Sequence, residues 1–318
     1  MAAFYKTNVR DKIIAKNIGK NYAWKDTMAW RVKFLMDRSI PVINCVLALV
    51  LGFLIGQLNP LSHRPSRDFN DGKEIQEYTR LKEEIQEYTR LKETYGPARY
   101  SQHDEEWIIR DFFQEKRGGF FIDVGAYHYK NFSNTYYLES ALGWSGIAVE
   151  PQQQFQADYV KYRPHTRFFP LFVSDFSNET ARLYVDEKNT LVTSAHKEFT
   201  QRFNPETKEI AAPTITLSEL LDRERVKNID LLSIDVELHE PKVLAGFDIE
   251  RFKPALVCIE AKPEVRKPIL DYFARHGYVV VGKYLRVDNK NLYFAPLAKS
   301  GTSGKAGGLK KNEPLKAD

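Results

Sequence analysis

Two short apolar runs constrain this chain most. Phe120-Phe-Ile-Asp-Val-Gly-Ala126 ends in Asp-x-Gly, and Gly146-Ile-Ala-Val-Glu-Pro151, about 25 residues on, ends in a carboxylate. Two apolar strands separated by helix-length sequence read as a βαβ unit of a parallel sheet. Ligands of open α/β sheets lie at the carboxyl ends of the strands. Gly125 lets the backbone turn tightly and approach a ligand without a Cβ clash. Glu150 falls where an acid at the tip of the second strand can accept hydrogen bonds from a ribose diol. The loop Gly125-Ala-Tyr-His-Tyr-Lys130 lacks the G-x-G-x-x-G that seats a pyrophosphate on a helix N-terminus. The missing glycines disfavour a nicotinamide dinucleotide. A nucleoside cofactor without a pyrophosphate fits better, and S-adenosylmethionine is the common one. Taken singly, each motif also describes a plain strand-to-helix turn or a surface glutamate; their order and spacing make the case.

Charge is distributed unevenly. Residues 1–39 carry nine Lys/Arg against three acids, and residues 299–318 carry five against two, which leaves the stretch between them net acidic. A nucleic-acid-binding face needs clustered positive charge on the domain itself, so no nucleic-acid partner is expected. The two cysteines, Cys45 and Cys258, lie in apolar runs and read as buried thiols. No metal is expected.

The chain divides into five segments. Residues 1–39 form a basic amphipathic stretch in which Trp24, Met28, Trp30, Phe34 and Leu35 alternate with Lys and Arg, a pattern that suits a membrane interface. Residues 40–58 contain no charge and are just long enough for one transmembrane helix. Residues 59–96 form a linker and helical stalk. Within it, Glu-Ile-Gln-Glu-Tyr-Thr-Arg-Leu-Lys-Glu occurs twice in tandem, at 74–83 and 84–93. The spacing places Arg80 with Glu84 and Glu87 with Arg90 as helical ion pairs. This stalk reads as a solvated spacer, with self-association as the alternative. Residues 97–298 form the globular domain, and residues 299–318, rich in Gly, Lys and Ser, a disordered tail.

Within the domain, strand and helix patterns alternate: strands over 120–125, 146–150, 167–173, 182–185, 231–236 and 255–260, and helices over 131–141, 152–162, 217–221, 241–244 and 265–276. Residues 278–284 and 291–294 suggest a closing hairpin. The expected fold is α/β: a Rossmann-like, doubly wound, mostly parallel sheet with a C-terminal antiparallel hairpin, preceded by the transmembrane helix and stalk.

Residues from about 100 to 296 resemble the FkbM-type family of class I methyltransferases. Three blocks carry the resemblance: Gly119–Ala126; Ser133–Glu139 continuing through Gly143–Pro151; and Asp230-Leu-Leu-Ser-Ile-Asp-Val-Glu-Leu-His-Glu240. The resemblance implies S-adenosylmethionine as cofactor. Asp123, Gly125 and Ala126 would shape the loop under its methionine part, Glu150 would hold the ribose, and Ser174 and Asp175 would border the adenine. The third block is the candidate chemical site. Asp235 and Glu237, alternating on a strand, would face the acceptor, and His239 would serve as base or cap the next helix. Glu240 would cap the helix that begins at Pro241. The family commonly has Gly after Asp-x-Glu, where this chain has Leu238. The activity implied is O-methylation of a sugar, glycolipid or secondary metabolite. The apolar segment would anchor it at a membrane; the cytosolic cofactor puts the domain on the cytoplasmic side, while the basic N-terminus favours the opposite orientation. A catalytically inert, membrane-tethered relative acting in binding or trafficking is the alternative.

Overall fold

The computed structural model describes residues 71–96 and 99–297, with side chains from residue 76 onward. The basic segment, the apolar stretch 40–58 and the C-terminal tail lie outside the described residues. Among the described residues no helix is long and apolar enough to cross a membrane.

The described residues open with α1 (Asp71–Tyr95) and α2 (Glu105–Phe113). It continues through β1 (Phe120–Val124), α3 (Tyr136–Leu142), β2 (Ser145–Val149), α4 (Gln156–Tyr162) and β3 (Thr166–Phe169). An insertion follows: β4 (Phe172–Ser174), β5 (Thr180–Val185), α5 (Lys197–Gln201) and β6 (Lys208–Thr216). The second half runs through α6 (Leu217–Arg223), β7 (Leu231–Ile234), α7 (Glu240–Ala245), α8 (Ile249–Phe252), β8 (Leu256–Glu260) and α9 (Pro263–Arg275). It closes on β9 (Tyr278–Val280) and β10 (Asn291–Pro296).

Seven strands form the main sheet in the order β3-β2-β1-β7-β8-β10-β9. The first five are parallel, and β10 runs antiparallel to both β8 and β9. The order reverses between β1 and β7, so a crevice opens above their carboxyl ends. Alternate residues feed cores on the two faces, as a period of two requires. Ile122, Val124, Val257 and Ile259 pack on one side, and Phe121, Leu256 and Cys258 on the other. Both faces are apolar because helices cover both.

Several elements depart from the sequence pattern. The apolar run 167–173 is two strands of two sheets: β3 joins the main sheet, while β4 pairs with β6 in a three-stranded sheet. Pro170 lies between them and has no N–H to continue a ladder. β6 itself, nine residues with Pro213 inside, lacks the regular apolar alternation of a half-buried strand. The helix expected from 131 begins at Tyr136. The strand expected over 231–236 stops at Ile234. Of the stretch 278–284, three residues are strand, and a 3-10 turn follows.

α1 carries both tandem decapeptides on one helix. Both expected ion pairs form, Arg80 with Glu84 at 3.3 Å and Arg90 with Glu87 at 2.7 Å. The second copy is no free spacer. Leu91 and Tyr95 are buried with Trp107 and Ile108 of α2, so packing into the domain begins before residue 97.

Candidate functional site

β1 ends at Val124, and Gly125 turns the chain with φ +82°. A Cβ at Gly125 would sit 1.8 Å from the Asp235 carbonyl oxygen. Glycine is therefore demanded by a close pass between the ends of β1 and β7 as well as by the turn. The turn is held by Gly125 and Ala126 N–H donating to the Val149 carbonyl, at 2.9 and 3.2 Å.

Glu150 follows β2 and is buried. Its Oε2 accepts from Tyr127 N–H at 3.2 Å and its Oε1 from Gln152 N–H at 3.0 Å. Each oxygen keeps a second lone pair, which a vicinal diol could use. Burial pushes its pKa up, against those two backbone N–H groups. Gln152 Nε2 donates to the Thr190 carbonyl at 3.1 Å, and the Tyr127 and Thr190 hydroxyls lie 3.2 Å apart. The insertion thereby anchors the acid loop. The sequence did not single out Tyr127, Gln152 or Thr190.

Gly125 and Glu150 line one cleft, open to solvent, together with Asp235 and Glu237. Leu171, Phe172 and Val173 give it an apolar wall.

The remaining expected residues lie behind the lining. Asp123 is buried, accepts from Thr135 Oγ1 at 2.8 Å, and is pushed up to about 6 by burial. It braces the loop from behind. Ala126 packs with Ala148 and Tyr159, whose hydroxyl donates to the Ala126 carbonyl at 3.1 Å. The third main-sheet strand ends at Phe169, so Ser174 and Asp175 do not lie at its end as expected; Ser174 ends β4 and Asp175 follows it. Neither lines the cleft: Ser174 Oγ lies 3.0 Å from His239 Nε2, and Asp175 pairs with Lys242 at 2.7 Å.

His239 is buried beside Phe172, with ring centroids 4.6 Å apart, and is also absent from the lining. Burial pushes its pKa down to about 4, so it is neutral at physiological pH. It makes no side-chain cap to α7. Its bond to Ser174 ties that helix to β4. Glu240 is the first residue of α7 and no cap to it. Its Oε1 reaches back to accept from Val236 N–H at 3.2 Å.

Asp235 and Glu237 stand on a loop past β7 rather than on the strand. Glu237 has φ +53° and Leu238 φ +78°. A left-handed Leu is strained, and it occupies the position where the family commonly has Gly. Both carboxyls are raised, Asp235 by burial and by Glu237, Glu237 by burial against the pull of Lys262. Lys262 Nζ lies 2.6 Å from Glu237 and also bonds Glu260.

Sequence reasoning also missed Arg163, which lies fully inside the domain. It pairs with Glu139 and donates to the carbonyls of Tyr129, at 2.8 Å, and Thr135, at 3.2 Å. These bonds fix the loop between β1 and α3. An arginine at a helix end gives no local sign of that role.

The sheet order, the single-glycine turn and the acid beside it define a Rossmann-like methyltransferase fold. Residues 123–280 match the family model of the methyltransferase FkbM domain, and the chain belongs to that family through this domain. It is an S-adenosylmethionine-dependent methyltransferase. A search of curated proteins finds no match. Among solved structures, the chain is similar to a precorrin-6y C5,15-methyltransferase from Geobacter metallireducens, at 10% identity and TM-score 0.36, over 61% of this chain and 87% of that one. It is also similar to a TehB-like SAM-dependent methyltransferase from Corynebacterium glutamicum, at 12% identity and TM-score 0.33, over 69% and 98%.

Proposed function

We propose that the domain transfers the methyl group of S-adenosylmethionine to a hydroxyl of a sugar, glycolipid or secondary metabolite. One observation carries this reading: Gly125, Glu150, Asp235 and Glu237 share a single cleft. Glu150 takes the ribose hydroxyls on its free lone pairs, and the wall of Leu171, Phe172 and Val173 takes the adenine. Gly125 and the raised carboxyls would border the cofactor's methionine part. Held there, S-adenosylmethionine would supply a methyl group to the acceptor oxygen. The hydroxyl proton passes to Asp235 or Glu237, whose raised pKa values suit a general base near neutral pH. Positioning supplies much of the rate.

Calorimetric titration of S-adenosylmethionine into the full chain tests the cofactor site. Binding by the wild type, weakened about tenfold or more in Glu150→Ala, is expected. Absence of binding, or unchanged affinity in the variant, overturns it.

We further place residues 40–58 across a bilayer, with the domain facing the cytoplasm, where the cofactor is made. Protease protection of the C-terminal tail in sealed vesicles reports the side. A second reading draws on Leu238: its strained backbone fits a tethered relative that binds the cofactor without turnover. Methyl transfer from labelled cofactor to extracted glycolipid separates the two.

A further inference from the structure

Asp235, Glu240 and Glu260 come together from three places in the chain: the loop after β7, the first residue of α7 and the last residue of β8. One carboxylate oxygen of each lies within 4.8 Å of the others. Glu240 is fully buried, and its Oε2 is the single buried side-chain polar atom without a hydrogen-bond partner among the described residues. An orphaned buried carboxylate oxygen is costly unless something occupies its lone pairs. Counting Glu237, four carboxyls share this corner with the ammonium of Lys262. That ammonium bonds Glu237 and Glu260, leaving the free oxygen of Glu240 unmet.

We propose that Asp235, Glu240 and Glu260 form a binding site for one hard divalent cation at the rim of the cleft. The donors are all oxygen, which selects Mg²⁺, Ca²⁺ or Mn²⁺ over softer metals. Burial raises the Glu240 and Glu260 carboxyls, and a bound dication would favour their charged forms. The cation site stands without the methyl-transfer reading. Where that reading also holds, Asp235 lines the cleft, so a cation there can orient the acceptor oxygen.

The experiment is a titration of MnCl₂ into the full chain after chelator treatment, with free Mn²⁺ counted by electron paramagnetic resonance and no methyl donor added. One Mn²⁺ per chain, displaced by Ca²⁺, is expected. Glu240→Gln and Glu260→Gln should each weaken binding by at least about tenfold. Circular-dichroism melts show which variants fold, and whichever folds supplies the readout. No stoichiometric Mn²⁺ on the wild type, or unchanged affinity in a folded variant, overturns the site. Because the donor is absent, this outcome is independent of the S-adenosylmethionine titration.

Discussion

Residues 74–83 and 84–93 are the same ten residues on one continuous helix, yet Leu81 is 45% exposed while Leu91 is fully buried. Tyr78 is 61% exposed, whereas Tyr88 packs beside Trp107, with ring centroids 6.1 Å apart. Arg80 pairs with Glu84 on the surface, and Arg90 pairs with Glu87 and with buried Asp111, the latter at 2.8 Å. Asp111 also accepts from Lys283 at 2.7 Å and Tyr284 at 2.9 Å. Intrinsic helix propensity is the same in the two copies, residue for residue. What differs is the company: α2 and the turn after β9 lie beside the second. Local sequence makes the helix, and neighbours decide what a side chain in it is worth.

Like residues in unlike surroundings supply the sharpest tests. Gly125 and Gly143 both have positive φ, but a Cβ at Gly125 meets the Asp235 carbonyl while one at Gly143 meets nothing within 4 Å. Gly125→Ala should cost more than about 4 kcal/mol and abolish cofactor binding, and Gly143→Ala about 1 kcal/mol. Equal losses in chemical denaturation would show that the turn alone matters. Within the repeat, Leu91→Ala should cost about 3 kcal/mol and Leu81→Ala less than about 0.5 kcal/mol. Similar melting shifts for the two would break the contrast between the copies.

Asp123 extends the comparison to charge. Its folded pKa of about 6 exceeds the unfolded value of 3.8, so folding binds a proton between those pH values. The stabilising effect of that proton is complete below pH 4 and is lost as pH rises through 6. Asp123→Asn, uncharged throughout, should match the wild type near pH 4 and exceed it by on the order of 2 kcal/mol above pH 7. A pH-independent difference in melts from pH 4 to 8 would contradict this. The smallest contrast concerns Leu238, which packs against the main core from a left-handed backbone. Leu238→Ala loses packing and keeps the strain, while Leu238→Gly loses packing and relieves it. The glycine variant should be the more stable by about 1 kcal/mol, and the reverse order would mean the loop is unstrained.

The parts of the fold legible in the sequence were those with short-range signals. β1 and β2 announce themselves as apolar runs with a glycine and an acid at their ends, and the structure puts Gly125 and Glu150 into one cleft. The run through Phe168 and Phe172 hid a change of sheet, because a single proline was the only sign of it. β6 was illegible because it has little apolar alternation and pairs with a strand some thirty residues earlier. The carboxylate corner was illegible for a similar reason. Glu240 and Glu260 are twenty residues apart in sequence, and only the parallel arrangement of β7 beside β8 brings them together. His239 shows the converse: its place next to the chemical block suggested a base, and burial against Phe172 made it a neutral tie between two elements.

Docking through the second decapeptide also bears on how this protein can vary. A duplication or deletion of one unit leaves the ten residues before Thr94 unchanged, so the clasp onto Trp107 and Asp111 survives. Each unit gained or lost moves the start of α1 by about 15 Å along its axis and swings it by roughly 80° about that axis. Reach and bearing can therefore be reset in steps without redesigning the surface that holds the helix.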